Sequence, residues 1–303
     1  MNDLLSEVRL RSALGARPFR FEMQVGSTND IARDWALGGA PSGSVVLTED
    51  QITGRGRFGR KWSAPPGTAL LMSVILRPRV SPEHITRLTM VGAVSVAEIL
   101  EALTPNPSPE DKGDMPPIVF SSDRSQEGLP LQESTSSPSP FAERGAGGEV
   151  PTIALKWPND VLLANRKVAG ILPEAIWQGH SLAAVILGIG VNVRVDFAGT
   201  DFEDRSASIE PTLGIKVDRA LLLAQLLQRI DYWAMRVVET TLLEAWRSRL
   251  VTLGQHITAR GAAGIITGLA ADVDDNGGLV LQADDGTIHH VVAGEVTLSE
   301  SGR

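Results

Sequence analysis

The chain has 303 residues, 43% of them hydrophobic and 21% charged, and 28 Lys+Arg against 36 Asp+Glu give a formal net charge of −8. That length suits one large domain with a small appendage, and the acidic balance argues against non-specific nucleic-acid binding as the main activity, because neutralising phosphates requires a positive surface, without excluding a local basic pocket. With no cysteine there is no disulfide, thiolate metal site or cysteine nucleophile. A secreted, disulfide-stapled fold is thereby excluded, and a cytoplasmic protein is expected.

Along the chain, MNDLLSEVRLRSALGARPFRFE carries acids and arginines through its apolar positions, unlike a signal peptide. No apolar run approaches the roughly 20 residues of a membrane span, so no membrane partner is expected. Only about 20 residues precede Phe21, so no DNA-binding head is expected. GSTND (26–30) leads into a helical IARDWAL, and GSVVLTED (43–50) and TALLMSVILRP (68–78) read as strands around a Gly/Arg-rich segment. Pro82–Leu103 has helical spacing of Leu88, Val91, Val94, Ile99 and Leu103. Residues 104–150 hold eight of the 18 prolines and eight serines, too polar and broken to offset ordering entropy, so a disordered surface insertion is predicted there.

Three strand-like runs follow, 152–158, 160–177 and 181–193, and one helix is predicted from Val217 to about Arg249. After Gly254, short β runs broken by DDNGG, DDG and AGE predict a small antiparallel meander or barrel. The expected division is 1–250 and 251–303, with an α+β mixed sheet covered by helices in the first part.

Four segments carry candidate chemistry. Ser27, Thr28 and Asn29 are good helix caps, although hydroxyls and free N–H groups at a helix start also suit a polar ligand. TGRGRFGRKW (53–62) packs Arg55, Arg57, Arg60 and Lys61 among three glycines without an acid. It reads as a solvated charge run, as an RNA-binding tract, against which the run is short and offers only Phe58 and Trp62 for stacking, or as a loop that closes over a polyphosphate, since such a charge density repels itself unless an anion is present.

In ALKWPNDVLLANRKVAGIL (154–172), Lys156 ends a strand before a Trp-Pro-Asn-Asp turn, either snorkelling to water or meeting an anion. GIGVNV (188–193) ends near Asn192 but lacks the full dinucleotide-binding glycine pattern. The five histidines show no metal-ligand spacing, and His289–His290, alternating across a strand, read as surface residues.

In this order, GSTND, TEDQITGRGRFGRKW with GTALLMSVILRP, ALKWPNDVLLANRKVAGIL, ILGIGVNV and the C-terminal AGEVTL resemble the biotin protein ligase family, from about residue 20 to 299. The resemblance implies a class II synthetase-like mixed-sheet catalytic domain, a C-terminal SH3-like barrel, and a monofunctional ligase without the DNA-binding head of the repressor subgroup. It implies two steps: biotin and ATP give biotinyl-5′-AMP and pyrophosphate, then a lysine of a biotin carboxyl carrier domain, by default that of acetyl-CoA carboxylase, displaces AMP.

Carried over by motif, Ser27, Thr28, Asn29 and Gln51 would bind the ureido ring. Arg55, Gly56 and Arg57 would close over biotin and adenylate. Lys156 would contact the biotin carboxylate and the α-phosphate, with Arg57 on the phosphates, and Trp62 and Asn192 would flank the nucleotide. Mg²⁺ is expected with ATP, without a dedicated protein cage. Family members are monomers or pair through sheet edges, so a homodimer stays open. The nearest rival is a lipoate or octanoate ligase, which lacks the GRGRxGR string; a biotin-sensing regulator without turnover is the rival of another class.

Overall fold

The computed structural model describes residues 4–104, 150–261, 264–292 and 294–298. The insertion expected over 104–150 falls almost wholly on residues 105–149, outside the described residues.

The two most apolar runs become neighbouring central strands. β3 (Ala69–Leu76) pairs antiparallel with β7 (Ser181–Asn192) over eight residue pairs, Ala69↔Asn192 to Leu76↔Val185. Both are buried on two faces, so they read as continuous apolar runs and not as alternating ones. On one face, Leu70, Met72, Val74, Leu187, Ile189 and Val191 join the main core, with α3 (Arg87–Leu103) and α5 (Arg219–Ala234) packed over them. On the other, Ile75, Ala184 and Ile186 meet Ala32 and Ala36 of α2 (Thr28–Leu37).

Around this pair the sheet has seven strands in the order β1-β2-β3-β7-β6-β5-β4. β1 (Phe19–Val25) is parallel to β2 (Val45–Gln51), and every other pairing is antiparallel. The predicted run 160–177 is two strands, β5 (Asp160–Leu163) and β6 (Arg166–Gln178), because Ala164 and Asn165 turn the chain at φ 51 and 61. A two-residue loop with both φ positive matches the twist of the strands it joins, and Asn tolerates that region better than most residues. With β4 (Ile153–Lys156) these strands form a β4–β5–β6 meander.

The single helix predicted from Val217 is also two, α5 and α6 (Thr240–Arg247). No Gly or Pro marks the break, but the bend lets Val237, Leu242 and Trp246 all enter the core. Two short helices, α1 (Glu7–Leu14) and α4 (Ile209–Leu213), complete the body. Among the described residues no helix is long and apolar enough to cross a membrane.

The end of the chain is a five-stranded antiparallel sheet, β11-β10-β9-β8-β12, built from β8 (His256–Gly261), β9 (Gly264–Val273), β10 (Leu279–Ala283), β11 (Ile288–Val291) and β12 (Glu295–Leu298). It is fastened to the larger sheet by polar contacts. Trp157 is 2% exposed; its Nε1–H donates to the Gly277 carbonyl at 2.9 Å and its N–H to Thr252 Oγ1 at 3.0 Å. Arg87 donates to the Asp275 carbonyl at 2.7 Å.

One ion pair braces the body from inside. Glu49 of β2 and Arg219 of α5 are both wholly buried. The Glu49 carboxylate accepts from both terminal nitrogens of Arg219 at 2.8 and 2.9 Å and from the backbone N–H groups of Leu5 at 2.5 Å and Gly67 at 2.8 Å. Four donors on one carboxylate offset its desolvation, the condition under which a buried charge is tolerated.

Candidate active site

Strand alternation places Ala184, Ile186, Gly188, Gly190 and Asn192 on one face of β7. The first two pack under α2; beyond them the side chains stop, and the glycines leave a trench. A Cβ at Gly188 would run into Asn29 Oδ1, and a Cβ at Gly190 would lie 2.6 Å from Cε2 of Trp62. Gly170, paired with Gly190 across β6–β7, extends this floor under the same indole. The GIG spacing, uninformative as a string, lets two side chains lie against the sheet.

At the Gly188 end lies a buried polar cluster. Thr28 donates to Gln51 Oε1 from both its backbone N–H (2.8 Å) and its hydroxyl (3.1 Å). Ser73 Oγ is 2.7 Å from Thr28 Oγ1 and donates to Asn29 Oδ1 at 2.6 Å. Asn29 is 3% exposed, and its Nδ2 has no hydrogen-bond partner among the described residues. Such a donor carries a desolvation cost until something accepts from it.

Ser27 occupies the N-cap position of α2, but its side chain makes no capping hydrogen bond. The capping reading therefore fails: Thr28 and Asn29 bond across to β2 and β3, not back to the helix. Ser73, absent from the sequence-based set, belongs to this cluster; the only trace it leaves is one hydroxyl in an apolar strand.

At the Gly190 end, Trp62 lies over the floor with Lys167 Nζ 5.5 Å from its ring centroid, and its buried Nε1 has no partner among the described residues. Asn192, one step further on the same face, donates from Nδ2 to the Ala207 carbonyl at 3.2 Å.

The charged groups sort themselves by partner. The expectation that the Gly/Arg run repels itself unless a foreign anion is present is corrected, because the fold supplies carboxylates from distant segments. Arg55 is held by Asp30 and Glu174, and Arg60 pairs with Glu295 of β12. Arg57 makes no ion pair or side-chain hydrogen bond among the described residues; it leans on the Phe58 ring, 5.3 Å to the centroid. Burial lowers its pKa, and Asp160 opposes that effect only through its charge.

Asp160 is also the cross-strand partner of Lys156 in the β4–β5 hairpin, and its carboxylate is taken by Lys167 at 2.6 Å. The turn before it is held from outside: Asn159 Nδ2 donates to the Ile171 carbonyl at 2.9 Å. Lys156 points away from its buried neighbours Leu155 and Trp157 and has no carboxylate partner among the described residues. Asp160 thus brings Lys156 and Arg57 into one neighbourhood although they are remote in sequence. Lys167 is a further cation the sequence reading did not single out.

Residues 21–192 match the Biotin/lipoate A/B protein ligase family, and residues 252–299 match the Biotin protein ligase C terminal domain. The chain belongs to the biotin/lipoate A/B protein ligase family. Similar members of this ligase family include the biotin--[acetyl-CoA-carboxylase] ligase of Paracoccus denitrificans, 30% identical over 86% of this chain and 92% of that protein. The enzyme of the same name from Mycobacterium tuberculosis is 30% identical over 96% and 95%. Among solved ligase structures, the biotin protein ligase of Aquifex aeolicus in complex with biotin and ATP superposes with a TM-score of 0.67 at 25% identity, covering 94% of this chain and 99% of that one. The α+β mixed-sheet body with a small antiparallel, SH3-like C-terminal domain is the biotin protein ligase fold.

Proposed function

We infer that the chain is a biotin protein ligase: it activates biotin with ATP to biotinyl-5′-AMP and transfers the biotinyl group to a lysine of a biotin carboxyl carrier domain, in the cytoplasm. We take residues 1–250 as the catalytic unit and 251–303 as its barrel. The observation that carries this reading is the glycine trench on β7, with the Asn29 Nδ2 at one end and the Trp62 indole N–H at the other, both unpartnered among the described residues, and beside it two cations without carboxylate partners among those residues.

The ureido ring of biotin is uncharged and needs both donors and acceptors. Ser27, Thr28, Asn29, Gln51 and Ser73 offer that mixture in a site buried enough for each bond to discriminate. Trp62 offers a flat face for adenine, with Asn192 bordering the nucleotide. Between them, Lys156, Arg57 and the Gly56 backbone meet the biotin carboxylate and the α-phosphate. Arg55, whose guanidinium is committed to Asp30 and Glu174, is left out of this contact set.

The two substrates repel each other, and the unpaired cations lower that repulsion most where charge gathers on the pentacoordinate phosphorus. A carboxylate oxygen of biotin forms a bond to the α-phosphorus while the bond to the β-phosphate oxygen breaks and pyrophosphate leaves. In the second step the carrier's amine attacks the acyl carbon, AMP leaves and the amine gives up its proton. Excluding water between the steps protects the mixed anhydride.

Among the described residues no group of three His, Asp or Glu side chains could hold a metal ion, and a magnesium carried by ATP is held mainly through the phosphates. Mg²⁺ enters with the nucleotide as MgATP, the substrate.

Incubating the carrier domain of acetyl-CoA carboxylase with the protein, biotin and MgATP, and weighing the product, tests the reading. One biotin on one lysine is expected. Failure to label, or labelling by lipoate at a comparable rate, overturns it.

A further inference from the structure

The first arginine of the flap is the most heavily engaged of its four cations. From the neck of the loop, Arg55 donates from Nε and Nη2 to Glu174 at 2.9 and 3.0 Å, and from Nη1 and Nη2 to Asp30 at 3.0 and 2.7 Å. Both edges of the guanidinium are used, the bidentate geometry in which arginine surpasses lysine. The two acceptors come from different elements. Asp30 follows Asn29 on α2, whereas Glu174 stands on β6 four residues beyond Gly170. Arg33 of α2 approaches Glu174 at 3.6 Å, balancing the second negative charge.

The neck closes at the same place. The backbones of Arg55 and Lys61 pair antiparallel, with Trp62 N–H donating to the Gly54 carbonyl at 2.9 Å and Gly56 N–H to the Arg60 carbonyl at 2.7 Å. A side chain at Gly54 would collide with the Trp62 carbonyl. Moving Arg55 onto a phosphate would break four charge-assisted hydrogen bonds and leave two carboxylates with only Arg33 nearby, whereas Arg57, two residues on, has no such bond to break.

We propose that Asp30 and Glu174, acting through Arg55, are positioning residues: they clamp the neck of the 53–62 loop to α2 and β6, so that the loop swings as a hinged flap carrying Arg57, with Trp62 held at the neck, and Arg55 itself makes no phosphate contact. The pKa shifts agree, with the Arg55 hydrogen bonds holding the Asp30 carboxyl below its usual range and both carboxylates pushing Arg55 up. The proposal rests on the ligase reading for its kinetic consequences, but not for its structural one.

The test compares full-length Asp30→Asn/Glu174→Gln, Arg55→Met, and the triple variant combining them. If the strut is right, each loses biotinyl-adenylate roughly tenfold faster than the parent and shows a raised KM for ATP with a smaller change in kcat, as expected for a misplaced but intact catalytic set. The triple variant is no worse than either component, because groups acting as one unit are non-additive. Trypsin supplies a readout independent of activity: cleavage at Arg57, Arg60 or Lys61 accelerates when the neck is released.

The proposal is overturned if Arg55→Met raises KM for ATP tenfold while the carboxylate variant, with its arginine freed, leaves KM unchanged; Arg55 would then be a ligand. It is equally overturned if the carboxylate variant shows parental trypsin sensitivity. A parent without biotin-dependent exchange overturns the ligase reading instead, and the trypsin comparison still decides the strut. Should Arg55→Met fail to fold, the carboxylate variant, altering two partly exposed side chains, carries the test alone.

Discussion

Two glycines two residues apart on β7 should control different substrates. In Gly190→Ala the new Cβ would lie 2.6, 2.7 and 2.9 Å from Cε2, Cζ2 and Nε1 of Trp62. Carbon atoms in contact rest about 3.5–4.0 Å apart, so the indole must lift by roughly 1 Å. Trp62 lies in an irregular loop that can yield, which keeps the stability loss near the lower end of the roughly 1–3 kcal/mol of overpacking. The ring nevertheless leaves the plane on which adenine is proposed to rest, and a displacement of about 1 Å can cost about 10²-fold.

In Gly188→Ala the Cβ overlaps Asn29 Oδ1 and lies 3.1 Å from its Cγ and Nδ2. Asn29 sits on a packed helix and accepts from Ser73, so it cannot retreat without dismantling the Thr28–Ser73–Gln51 cluster. Biotin-dependent ATP–pyrophosphate exchange, with the second substrate saturating in each series, should show KM for ATP raised roughly 10- to 100-fold in Gly190→Ala with a small effect on biotin, and the reverse in Gly188→Ala. Equal effects on both substrates, or the opposite pairing, would refute the assignment of the two ends of the trench.

Lys156→Ala should lower pyrophosphate exchange by about 10²–10³-fold with an unchanged melting curve, and exchange at the parental rate would remove Lys156 from the chemistry. Arg57→Ala should release biotinyl-adenylate into solution, seen as biotin on lysines of a bystander protein; retention as tight as the parent's would contradict its role on the phosphates. Arg219→Leu strands the buried Glu49 carboxylate and should cost about 3–5 kcal/mol, a fall in Tm of roughly 10 °C for a domain of this size. A fall below about 2 °C in a thermal melt would show that Glu49 is satisfied without its partner.

The central strands were legible because β3 and β7 are buried on both faces, which leaves an uninterrupted apolar run; helix α3 was legible from its period. The break between α5 and α6 was not, since Met235–Glu239 contains no residue that forbids a helix, and the bend follows from where Val237 and Trp246 find core. The same asymmetry holds in the site. Thr28, Asn29 and Gln51 stand in recognisable strings, but Ser73 gains meaning only from the register that sets it opposite Gly188. Arg55 and Arg57 look equivalent in GRGR because their difference lies in partners 25 and 119 residues away. Local sequence reports what a residue offers; only the tertiary fold reports what has already been taken.

That last distinction explains how an acidic chain can hold an anion. The flap is not a store of four equal charges, since Arg55 and Arg60 are already neutralised by internal carboxylates. Arg57 is left partly buried without an ion-pair partner among the described residues, and burial lowers its pKa. A guanidinium stays protonated at neutral pH even so, which means that its lost hydration is not recovered by shedding the proton. Part of the desolvation cost is therefore borne by the empty protein, and an arriving phosphate meets a cation that has already lost some of its hydration. Had Asp160 been free to pair with Arg57, that advantage would vanish. Lys167 takes the Asp160 carboxylate at 2.6 Å, and Asp160 acts on Arg57 only through its charge.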